Sequence, residues 1–256
     1  MKIVRYQDDS SHQSAYGIVE GDTVFAASGD LFGSLTRDAE VGALDSLKVL
    51  APLDPGKVVC IGMNYLKHVT EIDPTRAVPT EPVVFMKPNS AIIGPGDTIE
   101  IANPQNNTDY EAELVVVIGK TAKNVSEDDA LDYILGYTAG NDVSDRVLQA
   151  KDGQWIRAKG FDTYLPLGPS IVTELDPANT KVASRLNGES RQTDNTDGLI
   201  FGVKFLVSFL SGVMTLNPGD IIMTGTPFGV GPMKAGDTIE VEVGDIGVLS
   251  NPVTNR

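Results

Sequence analysis

The sequence has very few of the side chains that bind soft metals or act as thiols. It contains one cysteine and two histidines among 256 residues. Cys60 cannot form a disulfide within the chain, and its place in the apolar run KVVCIG favours a small buried side chain over a nucleophile. Zinc sites take most of their ligands from cysteine and histidine, and His12 and His68 are too few for the usual sets. Thiol chemistry and a zinc site are therefore disfavoured.

Basic residues are also scarce. Lysine and arginine number 20 against 35 acidic residues, which gives a formal net charge of −15. This charge argues against nucleic acid or an anionic membrane surface as a partner, and a small anionic substrate would need a local cationic site. No apolar run approaches the ~18 residues of a membrane span, and the N-terminal MKIVRYQDDSS lacks the apolar core of a signal peptide. We expect a cytoplasmic protein without a membrane partner.

Common nucleotide-binding and nucleophile motifs are missing as well. There is no G-x-x-x-x-G-K-[ST] loop and no G-x-S-x-G elbow, and GTPFGVG from Gly225 lacks the strand-to-helix context of a dinucleotide loop. Strands and helices do not alternate as they do in a doubly wound sheet. The pattern predicts a mixed, β-rich α+β fold, with a small strand-rich N-terminal domain over residues 1–52 and a larger domain over residues 57–256.

Turn signals divide the chain into short β-rich runs. A Gly-Asp turn precedes such a run four times, in EGDTVF, PGDTIEI, PGDIIM and AGDTIEVEV, and LNGES predicts an Asn-Gly hairpin. Helices are predicted for LKHVTEI, for SEDDALDYILGY from Ser126 and for DGLIFGVKFLVSFLSGV from Asp197.

Two acids, Glu111 and Glu113, stand at the start of the apolar run in DYEAELVVVIGK. In a strand, residues i and i+2 project from the same face, about 7 Å apart at the backbone. The pair lies either at an exposed strand end or beside a shared cation, since two like charges ~4 Å apart repel by roughly 4 kcal/mol at an effective dielectric of ~20. Asp142 follows a predicted helix and a short strand, and could return to the same face. Three carboxylates without histidine suit a hard ion of the Mg²⁺ or Mn²⁺ class.

Two further segments carry polar side chains of interest. His68 and Glu71 stand at i and i+3 of a predicted helix, where a carboxylate would orient the imidazole as a general base; an exposed surface pair is the alternative. Lys159, in QWIRAKGFDTY, would supply positive charge to an anionic substrate, or else lies on the surface with its stem packed on apolar neighbours.

Eight segments follow one another over residues 57–253: CIGMNYLKHVTE, PVVFMKPNSAIIGPGD, DYEAELVVVIGK, GYTAGNDVSDRVLQ, QWIRAKGFDTYLPLGP, LNGESRQ, PGDIIMTGTPFGVG and GDTIEVEVGDIGVLSNPV. Together they resemble the fumarylacetoacetate hydrolase family. The resemblance is specific because the motifs occur in the order that the family has. The region before them is similar to the family's variable leading domain.

The resemblance implies a mixed β-roll fold, a homodimer and a set of site residues. Glu111, Glu113 and Asp142 would bind Mg²⁺ or Mn²⁺, His68 and Glu71 would activate water, Lys159 would contact the substrate, and Thr226, Arg146 and Gln149 would make further substrate contacts. Met63 stands where many relatives carry arginine, a difference that would alter substrate preference.

The expected reaction is hydrolysis of a C–C bond in an acylpyruvate or another 2,4-diketo acid, a small anionic 2-oxo acid, to pyruvate and a carboxylic acid. The same framework would support oxaloacetate decarboxylation or isomerisation of an unsaturated 2-oxo dicarboxylate. A lid over residues 65–78, carrying His68 and Glu71, would admit or exclude water. An alternative of another class is a metal-stabilised anion-binding protein without catalysis.

Overall fold

The computed structural model describes residues 1–8, 11–72, 75 and 77–256. Within these residues the chain forms three β-sheets and four short helices. None of the described helices has the length and apolar character needed to cross a bilayer.

The first half of the chain contains most of the strands of the largest sheet. The strands in this half of the chain are β1 (Lys2–Gln7), β2 (Ser14–Glu20), β3 (Thr23–Gly29), β4 (Leu35–Ala43), β5 (Val49–Leu50), β6 (Val58–Gly62), β7 (Val83–Lys87), β8 (Ile92–Ile93), β9 (Ile99–Ile101), β10 (Thr108–Tyr110) and β11 (Ala112–Ile118). Helix α1 (Leu66–Ile72) lies between β6 and β7.

The second half carries the other helices and the hairpins of the smaller sheets. Its strands are β12 (Ile134–Asn141), β13 (Ser144–Asp145), β14 (Leu165–Val172), β15 (Lys181–Leu186), β16 (Glu189–Asn195), β17 (Ile221–Met223), β18 (Gly231–Pro232), β19 (Thr238–Val243) and β20 (Val248–Asn255). The helices are α2 (Arg146–Asp152), α3 (Ile156–Lys159) and α4 (Val203–Val213).

The largest sheet runs in the order β4-β3-β2-β1-β14-β12-β11-β17-β6-β7, with β5 beside β1 and β8 beside β14. The strands of residues 1–52 join it through the antiparallel pairing of β1 with β14. A five-stranded sheet has the order β16-β15-β19-β20-β9, and a three-stranded sheet the order β13-β10-β18. The prediction of a mixed, β-rich fold with few helices is confirmed.

Strand β11 lies between two hydrophobic clusters and is buried along its whole length. Leu114, Val116 and Ile118 pack in the cluster that includes α4, whereas Val115 and Val117 pack in the cluster on the opposite face. This alternation is what a strand covered on both faces requires. Glu113 is two residues before Val115, so its side chain leaves β11 on the Val115 face.

The turn predictions agree with the structure. Each of the four Gly-Asp turns has its glycine at positive φ and precedes a strand: Gly21 at 61°, Gly96 at 79°, Gly219 at 86° and Gly236 at 92°. The Asn-Gly turn joins β15 to β16 with both residues at positive φ, as a type I′ hairpin needs.

The α-helix predicted from Ser126 is wrong. Ala130–Tyr133 forms a single 3₁₀ turn, and the chain then continues as β12. Ile134 pairs with Ile118 and Tyr137 pairs with Val116, so pairing with β11 overrides the local helical spacing. Asp142 therefore follows a long strand, where the sequence predicted a helix and a short one.

The helix predicted from Asp197 begins later, at Val203. Residues before it pair with the segment after β6: Leu199 forms a bridge with Tyr65, and the backbone N–H of Phe201 donates to Asn64 Oδ1 at 2.8 Å. The backbone of these residues therefore pairs with the segment after β6 and does not form the first turns of α4.

Candidate metal centre and active-site cleft

Three buried carboxylates meet where β11 and β12 lie side by side. Glu111 immediately precedes β11, Glu113 is its second residue, and Asp142 immediately follows β12. The register pairs Ala112 with Asn141, which brings the three together. One oxygen from each carboxylate lies within 4.8 Å of one from both others. The carboxylates therefore converge, and none of them occupies the exposed strand end that the sequence left open.

Backbone and amide hydrogen bonds hold this arrangement. The Asp142 N–H donates to the Glu111 carbonyl at 2.9 Å, and the Glu111 N–H donates to Asn141 Oδ1 at 2.9 Å. Glu113 Oε2 accepts from the Gly225 N–H at 2.8 Å. The carboxylates are thus fixed by strands on either side, which limits how far they can separate.

Three cationic side chains surround the cluster. Lys159 Nζ lies 2.9 Å from Glu111 Oε2 and 2.7 Å from Asp142 Oδ2, and Lys87 Nζ lies 2.6 Å from Asp142 Oδ1. Arg146 Nη1 lies 2.7 Å from Glu111 Oε1. Lys159 is buried, so the prediction that it could be a surface lysine is excluded. These side chains place positive charge locally in an otherwise acidic protein.

The cations are unequally shared among the carboxylates. Burial opposes ionisation of Glu111, but Lys159 and Arg146 outweigh it and hold the pKa of Glu111 below its ordinary value. Burial, with Asp142 and Glu111 nearby, raises the pKa of Glu113 well above its ordinary value. Among the described residues, no lysine or arginine forms an ion pair with Glu113.

The cluster fits a divalent cation of the magnesium class. It offers three convergent oxygen ligands, and Glu113 lacks a positive partner that an ion would supply. Glu111, Glu113 and Asp142 would hold the ion, which would offset their mutual repulsion. Carboxylates alone, without cysteine or histidine in the set, suit Mg²⁺ or Mn²⁺ better than zinc.

His68 and Glu71 form the contact that their spacing predicts. His68 Nδ1 lies 3.1 Å from Glu71 Oε2 within α1. Glu71 also accepts from the Gly229 N–H, at 3.1 Å to Oε1 and 3.3 Å to Oε2, so its carboxylate is fixed from both sides. His68 is 5% exposed, which excludes the alternative of a solvated surface pair.

One cleft contacts the cluster and the histidine together. Its wall includes every predicted site residue except Glu71, which lies behind His68. The predicted members are His68, Glu111, Glu113, Asp142, Arg146, Gln149, Lys159 and Thr226. Ile61, Met63 and Trp155 form an apolar side of the same cleft.

The hydrogen bonds of the predicted substrate contacts limit what each can offer. Lys159 uses its three N–H groups on Glu111, Asp142 and Ser144, so its effect on a ligand is through its charge. The Thr226 hydroxyl donates to the Ala112 carbonyl at 2.9 Å. Arg146 retains a free donor, because its buried Nη2 has no hydrogen-bond partner among the described residues.

Three residues of the site were missed by the sequence interpretation. Lys87 ends the strand VVFMK and is the buried member of an otherwise partly exposed strand. Asn64 fixes the turn after β6 by donating to the carbonyls of Thr224 and Phe201. Gln192 lies in LNGESRQ, a segment that was used for its turn and for the family resemblance, without a role for Gln192. The signal available for Lys87 was a charged residue at an inward-facing position of its strand.

The predicted lid over residues 65–78 includes α1. Residues 73, 74 and 76 of this segment lie outside the described residues.

Lys87→Met is expected to lower the free energy of unfolding by on the order of 3 kcal/mol, because it removes one cation from a buried pair and leaves Asp142 with a single partner. The measurement is urea unfolding in EDTA, so that metal binding does not contribute. Lys181→Met is the control: its pair with Glu242 is exposed, and the expected loss is at most about 1 kcal/mol. Equal unfolding midpoints for the two variants would contradict the role given to Lys87.

Comparison with known families connects this site to a group of enzymes. The family model described as fumarylacetoacetate (FAA) hydrolase C-terminal matches residues 57–254, and these residues include all the members of the cleft. The chain belongs to the fumarylacetoacetate hydrolase family. Residues 1–52 match a second family model, described as Rv2993c-like, N-terminal.

The relatives of this member of the fumarylacetoacetate hydrolase family are named for different activities or for none. An uncharacterised protein of Archaeoglobus fulgidus is 48% identical over 89% of this chain and 93% of its own length. A mitochondrial oxaloacetate tautomerase of Xenopus laevis is 42% identical over 86% of this chain and 72% of its own. The solved structure of a 5-carboxymethyl-2-hydroxymuconate delta-isomerase from Mycobacterium smegmatis is 42% identical, covers both chains fully and superposes with a TM-score of 0.91. The family fold predicted from the sequence is confirmed.

Proposed function

We propose that the chain is an enzyme that transfers a proton at C3 of a 2-oxo dicarboxylate, interconverting its keto and enol forms. The observation that carries this proposal is the His68–Glu71 pair, whose histidine lines the same cleft as the three carboxylates and Arg146. The tautomerase and the isomerase among the relatives support it, because both names describe proton transfer. This order differs from the sequence-based one, which placed hydrolysis first.

The roles of the residues follow from their contacts. Glu71 holds Nδ1 of His68 and leaves Nε2 to remove a proton from C3 and return it. Arg146 Nη2 is the donor for a substrate carboxylate, and the fixed charge of Lys159 favours the enolate as negative charge develops. A divalent cation on Glu111, Glu113 and Asp142 would supply Lewis-acid polarisation of the 2-oxo group.

Hydrolysis of an acylpyruvate is the second candidate. The same His68 nitrogen would take a proton from water, which would attack the C4 carbonyl; the C3–C4 bond would break, and C3 would gain a proton to give pyruvate and a carboxylic acid. The observation that favours this route is the Glu71 carboxylate behind the histidine, which holds Nδ1 and leaves Nε2 to take the proton from water.

A substrate panel separates these functions. Oxaloacetate, acetylpyruvate and fumarylpyruvate are incubated with the chain and Mg²⁺ or with EDTA; enol absorbance reports tautomerisation and a lactate dehydrogenase couple reports pyruvate. We expect the chain with Mg²⁺ to accelerate the loss of oxaloacetate enol absorbance over the rate without the chain, and to form no pyruvate. Pyruvate from acetylpyruvate identifies the hydrolase, and pyruvate from oxaloacetate identifies a decarboxylase. No turnover of any compound would favour the non-catalytic binder, and turnover after complete chelation would contradict the metal centre.

We also propose that the chain forms a homodimer, as the family resemblance implies. Strand β7 is at the edge of the large sheet and exposes Val84 and Met86, the kind of edge that proteins cover. Sedimentation velocity tests the assembly, and a single monomeric species would contradict it.

A further inference from the structure

Strand β11 loses its neighbour at the point where the metal-binding carboxylates begin. Its pairing with β17 covers Val115, Val116 and Val117. Ala112 lies outside that pairing, between Glu111 and Glu113, and its N–H and C=O on this side need other partners. The position of both carboxylates depends on how this one peptide segment is held.

The side chain of Gln192 replaces the missing strand. Its Oε1 accepts from the Ala112 N–H at 3.0 Å, and its Nε2 donates to the Thr226 hydroxyl at 2.7 Å. The Thr226 hydroxyl in turn donates to the Ala112 carbonyl at 2.9 Å. These three bonds close a ring that contains both backbone groups of Ala112.

The remaining bonds of Gln192 leave its amide a single orientation. Oε1 also accepts from the Ser184 hydroxyl at 2.9 Å, and Nε2 also donates to the Pro227 carbonyl at 2.8 Å. Two donors and two acceptor sites are the full capacity of the amide. Gln192 is 0% exposed in a strand, β16, whose other residues are exposed or partly exposed.

We propose that Gln192 is a positioning residue for the metal centre: it holds Ala112 so that Glu111 and Glu113 keep their oxygens converged. It contacts neither ligand carboxylate nor the cleft, and it acts through the Ala112 peptide and Thr226. The inference rests on the metal centre of the proposed function. Loss of a partner that orients metal ligands lowers metal affinity by about 10–100-fold in other proteins.

Gln192→Met tests this in the full chain, because methionine keeps the length of the side chain and removes all four hydrogen bonds. Mn²⁺ affinity is measured by calorimetry, and the electron paramagnetic resonance spectrum of bound Mn²⁺ reports ligand geometry. The expected result is affinity about 10–100-fold weaker with an altered spectrum. Ser211→Ala is the matched control: it deprives another buried N–H, that of Val125, of its side-chain acceptor, and we expect a lower unfolding midpoint with parental Mn²⁺ affinity.

Thr226→Val and Thr226→Ser provide a second test should Gln192→Met not fold. Valine breaks the ring and is expected to weaken Mn²⁺ binding, whereas serine retains the hydroxyl and is expected to restore it. Because no substrate is used, weaker binding in Gln192→Met or Thr226→Val supports the inference even if no 2-oxo acid is turned over. Parental affinity in either folded variant overturns it, as does a parent chain that binds no Mn²⁺.

Discussion

His68→Asn is expected to lower kcat on the substrate that the panel identifies by about 10²–10⁴-fold, the usual contribution of a positioned general base. The imidazole is the group whose far nitrogen is left for proton transfer once Glu71 holds Nδ1. Asparagine retains a polar contact to Glu71, so α1 keeps its anchor to Gly229. Mn²⁺ affinity should stay near the parental value, because His68 is outside the carboxylate cluster.

The chain contains its own control for this variant. His12, the second histidine, is exposed and lies outside the cleft, so His12→Asn is expected to retain parental kcat. Its φ of 56° is a conformation that asparagine tolerates well. Steady-state kinetics measures kcat for both variants. A kcat for His68→Asn equal to that of His12→Asn would show that another group moves the proton.

Glu113→Gln is expected to weaken Mn²⁺ binding by at least about 100-fold, since a lost ligand costs no less than a lost partner of a ligand. The glutamine oxygen can still accept from the Gly225 N–H, so the local backbone contact is kept. Burial and the neighbouring Asp142 and Glu111 raise the pKa of Glu113, so in the metal-free chain glutamine replaces a group whose ionisation is opposed, and it removes the source of that repulsion. The unfolding midpoint in EDTA should therefore not fall, while turnover is lost.

Weaker Mn²⁺ binding together with an unfolding midpoint that does not fall distinguishes a metal ligand from a residue that supports the fold. Calorimetry with Mn²⁺ and thermal unfolding in EDTA measure them on the same sample. Glu100→Gln, at an exposed position of β9, is expected to leave both unchanged. A Glu113→Gln chain that is destabilised in EDTA yet binds Mn²⁺ normally would show that Glu113 is structural.

Local spacing was sufficient for contacts made within one element. The i, i+3 spacing of His68 and Glu71 predicted their hydrogen bond, and the strand spacing of Glu111 and Glu113 predicted that their side chains share a face. Both depend only on the geometry of a single helix or strand.

Contacts between elements required the register of the sheet, which a sequence does not display. Asp142 joins the glutamates because Ala112 pairs with Asn141, in a strand partly misassigned as helix. Lys87 reaches Asp142 across 55 residues of chain, through the antiparallel pairing of β6 with β7. Gln192 lies in a strand that is polar throughout, so nothing in its local pattern separates it from its exposed neighbours.

The proposed base and the carboxylates proposed to bind metal belong to different parts of the fold. The carboxylates are set in the interior of the large sheet, whereas His68 is carried by a seven-residue helix anchored through Glu71 to Gly229. With the roles proposed above, replacement of that helix would change which proton is moved and would leave the charged interior unaltered. Because the two sets of residues lie on separate elements, one scaffold would support different reactions through exchange of a single short segment.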